Sequence, residues 1–137
     1  MNIQRMREQL ILHEGLKLQV YKCTSDKLTI GVGRNIEDRG ISEETAMQML
    51  DEDINIVHEE LQNVFEDFNS MPEIVQESLI DLAFNMGTPT LLKFKNAVAA
   101  LQSQQWGTAA DELLDSRYAR QVGQRAKTIA DNIRSCE

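Results

Sequence analysis

The sequence predicts an α+β fold, mainly α, with one small β-hairpin near the N-terminus. Three observations carry that expectation. Apolar residues recur at three- and four-residue spacing over most of the 137 positions. The period drops to two only between Leu16 and Gly33. Glycine, proline and hydroxyl residues punctuate the periodic runs where helices would start and stop.

The first helix carries Ile3, Met6, Leu10 and Ile11 on one face and stops at His13-Glu14-Gly15, glycine being the usual residue just past a helix end. Leu16, Leu18 and Val20 then alternate with Lys17, Gln19 and Tyr21. After the turn-like Thr24–Lys27, Leu28, Ile30 and Val32 alternate with Thr29, Gly31 and Gly33, so the two runs read as a hairpin. The rest is helical. Ser42 precedes Glu43 and Glu44, a cap followed by acids that suit a helix N-terminus. Ala46, Leu50, Ile54, Val57, Leu61 and Val64 make a stripe about six turns long. Pro72 suits the start of the next helix, whose buried face is Val75, Leu79, Leu82, Ala83 and Met86 and whose stop is Gly87. Thr88-Pro89-Thr90 introduces a helix from Leu91 to Leu101. Trp106-Gly107-Thr108 leads into Ala109–Leu114, and a last helix covers about 121–133. The expected organisation is one domain over 1–137: a hairpin lobe at about 14–40, a connecting helix at about 43–66, and a helical lobe at about 70–137 packed with helix 1–13.

Composition narrows the function. Fourteen basic against 22 acidic residues give a net charge of −8, which disfavours nucleic acid and anionic membrane surfaces as partners. Arg117–Lys127 is the one basic stretch. No apolar run is long enough for membrane insertion, and the first ten residues lack the apolar core of a secretion signal. Cys23 and Cys136 stand near opposite ends of the chain without metal-ligand spacing, so free thiols, no metal and no cofactor are expected, in a monomer.

Among 22 acids, Glu14 stands out by position. It closes the first helix, where the negative end of the helix dipole favours a carboxyl that keeps its proton, as a general acid requires. If Cys23 faces Thr29 across the hairpin, then Tyr21 faces Gly31 and Gln19 faces Gly33, and all six lie on one face. That face would offer a thiol, a hydroxyl and a glycine-floored trough beside the glutamate. The same residues also fit a second reading, in which the glycines admit a close helix and Cys23 is a small apolar filler.

The spacing Glu14, eight residues, Cys23, five residues, Thr29 resembles the catalytic signature of phage-type lysozymes (endolysins), whose middle position is aspartate or cysteine. Leu28-Thr-Ile-Gly-Val-Gly33, Gly40–Ala46, Ala83–Gly87, Trp106–Ala110, Ser116-Arg-Tyr118 and Gln124–Lys127 extend the likeness along nearly the whole chain. The resemblance implies a lysozyme-like fold and hydrolysis of the β-1,4 bond between N-acetylmuramic acid and N-acetylglucosamine in peptidoglycan. It implies that Glu14 protonates the leaving oxygen, that Cys23 stands near the sugar's opposite face, and that Thr29 helps position the attacking water. A neutral thiol is a weaker base than a carboxylate, so base, nucleophile and spectator all stay open for Cys23. Phe84, Asn85, Asn35 and Arg125 are implied in substrate binding, and Arg125 resembles the arginine that pairs with the catalytic glutamate. The partners are then peptidoglycan glycan strands. The protein would be made in the host bacterial cytoplasm and act on the cell wall after release. A lytic transglycosylase, or a catalytically weak wall-binding protein of the same fold, are the alternatives.

Overall fold

A computed structural model describes all residues, 1–137, as two compact units, Met1–Gln48 and Met49–Glu137. The fold class is α+β and mainly α, as the periodicity predicts.

The first unit begins with α1 (Ile3–Glu14), whose N-terminus is capped by Asn2 accepting from the Arg5 amide at 2.8 Å. Gly15 ends it at φ 80°, its N–H returning to the Ile11 carbonyl. Three strands follow, β1 (Lys17–Lys22), β2 (Leu28–Gly31) and β3 (Arg34–Asn35), in an antiparallel sheet of order β1-β2-β3. A short helix, α2 (Ile36–Arg39), comes next, and then α3 (Glu43–Val64), which starts in this unit. Ser42 caps α3 through the Thr45 amide.

The hairpin differs from its sequence expectation in register and in length. The pairs are Tyr21 with Thr29 and Lys22 with Leu28, and an irregularity then shifts the ladder so that Lys17 meets Gly31. The loop is the cause. Asp26 adopts φ 63°, its amide donating to the Cys23 carbonyl, while the Cys23 amide donates to Lys27. Aspartate tolerates this left-handed conformation, which closes a three-residue loop one pair earlier than expected. Cys23 therefore lies opposite Lys27, not Thr29. Gly33 does not extend the second strand; it sits in the turn that sends the chain back as β3, where Asn35 pairs with Thr29. The six-residue face expected around Gln19 and Gly33 is not formed.

In the second unit, α3 continues to Val64, a 3-10 turn covers Phe68–Ser70, and α4 spans Glu73–Met86. Gly87, at φ 86°, separates α4 from α5 (Thr88–Leu91). The single helix expected from Leu91 to Leu101 is two, α5 and α6 (Lys95–Gln102), because i to i+3 bonds at Lys93 and Phe94 tighten the chain out of helical register. Trp106 and Gly107 already belong to α7 (Trp106–Leu114). The final segment also divides, into α8 (Arg117–Val122), capped by Ser116, and α9 (Gln124–Arg134), with Gly123 at φ 56° between them.

The core of this unit is built by α4, α6, α7 and α9 around Leu79, Leu82, Leu101, Leu113 and Ile133, each at most 2% exposed. At roughly 1.5–3 kcal/mol per buried aliphatic or aromatic side chain, this cluster fixes where α4 and α9 lie. That placement carries Asp81, Phe84 and Arg125 to one surface.

Candidate active site

Glu14 is the last residue of α1, and its carboxylate rests on Gly33. A Cβ built at Gly33 would meet Glu14 Oε2 at 2.5 Å and Cδ at 3.0 Å. Only a residue without a side chain leaves this space, and φ 63° independently favours glycine there. Glu14 and Gly33 share a mainly apolar groove with Arg7, Leu10, Ile11 and Val32. The glycine that the alternating pattern placed on a strand is thus the seat of the carboxylate.

At the other end of β2, thiol and hydroxyl come together. Thr29 is 2% exposed and its hydroxyl donates to the Lys27 carbonyl at 2.8 Å. Cys23 is partly exposed, and its thiol ionises more readily than an ordinary cysteine. The Lys27 amide is the largest cause, followed by the Ser25 amide and the Thr29 hydroxyl, all of which favour the thiolate. The Thr29 hydroxyl has one proton, which serves either the Lys27 carbonyl or the sulfur. The neutral thiol leaves it on the carbonyl; the thiolate draws it round.

The loop bearing Cys23 is tied down from α2. Lys27 Nζ lies 3.4 Å from both Glu37 and Asp38, and these carboxylates, Asp38 before Glu37, raise its pKa. Glu37 also accepts from the Leu28 amide at 3.3 Å. Asn35 is the N-cap of α2, its carbonyl accepting from the Asp38 amide and its amide donating to the Asp38 carboxylate. Its side chain therefore shapes the turn that follows β3.

In the second unit Phe84 and Asn85 lie exposed on α4, Phe84 at 45%. Arg125, on α9, binds Asp81 of α4, a residue that spacing did not single out. Nε donates to Asp81 Oδ1 at 2.9 Å, and Nη2 donates to the same oxygen and to the Asp81 carbonyl. Tyr118 stands beside this pair. Its hydroxyl is buried without a partner, and burial above all pushes its pKa up, with Asp81 acting in the same sense and the Arg125 cation against it. Asp81 was one acid among many in the sequence. Only its position one helical turn before Phe84 hinted at a shared face.

Cys23 and Cys136 are both free, and no group of three or more potential metal ligands forms anywhere in the chain. No helix is long and apolar enough to cross a membrane.

Comparison with known proteins agrees with the sequence pattern. The family described as phage lysozyme matches residues 12–133. Two similar proteins from Dictyostelium discoideum, "Probable T4-type lysozyme 2" and "Probable T4-type lysozyme 1", are each 24% identical over 157 aligned positions, covering 93% of this chain and 92% of the relative.

Proposed function

We propose, as the activity of a chain that belongs to the phage lysozyme family, a muramidase that cleaves the β-1,4 bond between N-acetylmuramic acid and N-acetylglucosamine in peptidoglycan. The observation that carries this reading is the extent of the family match, which runs from before Glu14 to beyond Arg125 and so includes every residue invoked.

Glu14 is the general acid that protonates the departing glycosidic oxygen. Glycosidases need a second group across the oxocarbenium-like transition state, and Cys23 with Thr29 supplies it. The hydrogen bonds that favour the Cys23 thiolate support its taking a proton from the attacking water, with Thr29 orienting that water. Attack by the sulfur on the anomeric carbon is the competing route. It would pass through a thioglycosyl intermediate and retain the anomeric configuration, whereas direct attack by water inverts it. Phe84, Asn85 and Arg125, with Asn35 of β3, bind the glycan. The protein acts as a monomer, and its attack on the wall lyses the host cell.

The test is turbidity loss of chloroform-treated Gram-negative cells, wild type against Glu14→Gln. Removing a general acid should slow clearing by about 10²-fold or more. A wild type no faster than the variant would overturn the reading and leave a wall-binding protein. Product mass separates the remaining enzyme class, since a transglycosylase leaves anhydro-sugars one water lighter than the hydrolysis products.

A further inference from the structure

We infer that Asp81 is the positioning residue for Arg125: it holds the guanidinium by one edge and presents the other to an uncharged acceptor on the glycan. This rests on the muramidase reading, in which Arg125 binds substrate, and adds a residue that the family spacing does not name.

The geometry is one-sided. Nε and Nη2 are both directed at Asp81, through its carboxylate and its main-chain carbonyl, which leaves Nη1 without a partner in the helical unit. Two grooves meet at the pair. One lies between α4 and α9 and is lined by Glu77, Ser78, Gln124 and Asn132. The other, of about 230 Å3, is nearly all apolar, with Leu50, Ile54, Ile80 and Phe84 around it. The free edge of Arg125 thus borders an open aromatic face, an arrangement suited to a sugar ring that stacks on Phe84 and offers an oxygen at its rim. Asp81 also cancels the charge of the guanidinium. The paired Arg125 is therefore a donor without net charge, matched to a hydroxyl or acetamide oxygen rather than a carboxylate.

Stability is a poor explanation for the pair. Its side chains are 41% and 46% exposed, and ion pairs this open add little to folding free energy. Orientation is the larger effect, because a long side chain fixed before binding loses less freedom when the ligand arrives.

The experiment measures binding to purified peptidoglycan sacculi by sedimentation. It uses the full chain carrying Glu14→Gln, so that the glycan is not consumed. Added Asp81→Ala should raise the apparent Kd by about 3- to 10-fold, the cost of immobilising one rotamer-rich side chain. Asp81→Asn, which keeps the accepting oxygen, should restore binding close to the parent, a rescue that a charge effect would not give. Arg125→Ala should weaken binding at least as much as Asp81→Ala. In an Arg125→Ala background, Asp81→Ala should then change little, the non-additivity of residues acting through one another. Melting temperatures of the five proteins should agree closely. Loss of binding in Arg125→Ala with none in Asp81→Ala overturns this inference alone, as do additive effects. An Arg125→Ala protein that binds like its parent removes Arg125 from the substrate site. Absence of binding by the parent overturns the muramidase reading itself.

Discussion

Gly33→Ala is the most direct test of how Glu14 is held. The added Cβ would stand 2.5 Å from Glu14 Oε2, where ordinary contact begins near 3.4 Å. The carboxylate must therefore retreat by about 1 Å, a displacement that can lower a catalytic rate by about 10²-fold. The obstacle is the far end of a flexible side chain, so the fold itself can accommodate the change. A second effect accompanies it, because φ 63° at Gly33 costs an alanine about 1–2 kcal/mol. Gly31→Ala isolates that second effect. Gly31 has φ 71° and nothing within 4 Å of its would-be Cβ, so it carries the same backbone strain and leaves Glu14 untouched. Both variants should melt lower than wild type by a few degrees and by similar amounts. Only Gly33→Ala should also lose about two orders of magnitude in kcat/KM for release of soluble muropeptides from sacculi. Equal activity of the two variants would refute the claim that Gly33 seats the acid.

Two further predictions concern titrating groups. In a Cys136→Ser background, the rate of Cys23 alkylation by iodoacetamide should reach half its plateau at a lower pH than that of an unstructured cysteine peptide, because hydrogen bonds favour the reactive thiolate. Thr29→Val removes one of those donors and should move the midpoint upward; identical profiles would show that the hydroxyl does not serve the sulfur. Tyr118→Phe should stabilise the protein by up to about 1 kcal/mol, since it removes a buried hydroxyl with no partner. Burial raises the phenol's pKa, so the fold favours its neutral form. That contribution is complete below the unfolded value near 10 and is lost as pH rises through the folded one. Denaturant melts should accordingly show wild-type stability falling above about pH 10 more steeply than the variant's. A Tyr118→Phe protein less stable than wild type at neutral pH would contradict the orphaned hydroxyl.

What the sequence determined by itself was whatever depends on neighbours along the chain. Helix α1 ends at Glu14 because Gly15 takes a conformation few other residues tolerate, and α3 begins where Ser42 caps it. The α+β class was legible for the same reason, as was the place of Glu14 at the close of α1, whereas the expected pairing of Cys23 with Thr29 was not what formed. Periodicity and motif spacing are local quantities. The tertiary structure decided everything that depends on which distant residues meet. Asp26 in a left-handed conformation shortened the hairpin loop and moved the ladder, which turned Gly33 from a strand residue into the seat of the carboxylate. Arg125 found Asp81 across 44 positions of sequence, because the packed cores of α4 and α9 bring their surfaces together. No spacing rule could choose that acid among 22, since a charged pair on an open surface contributes too little energy to impose a pattern on the chain.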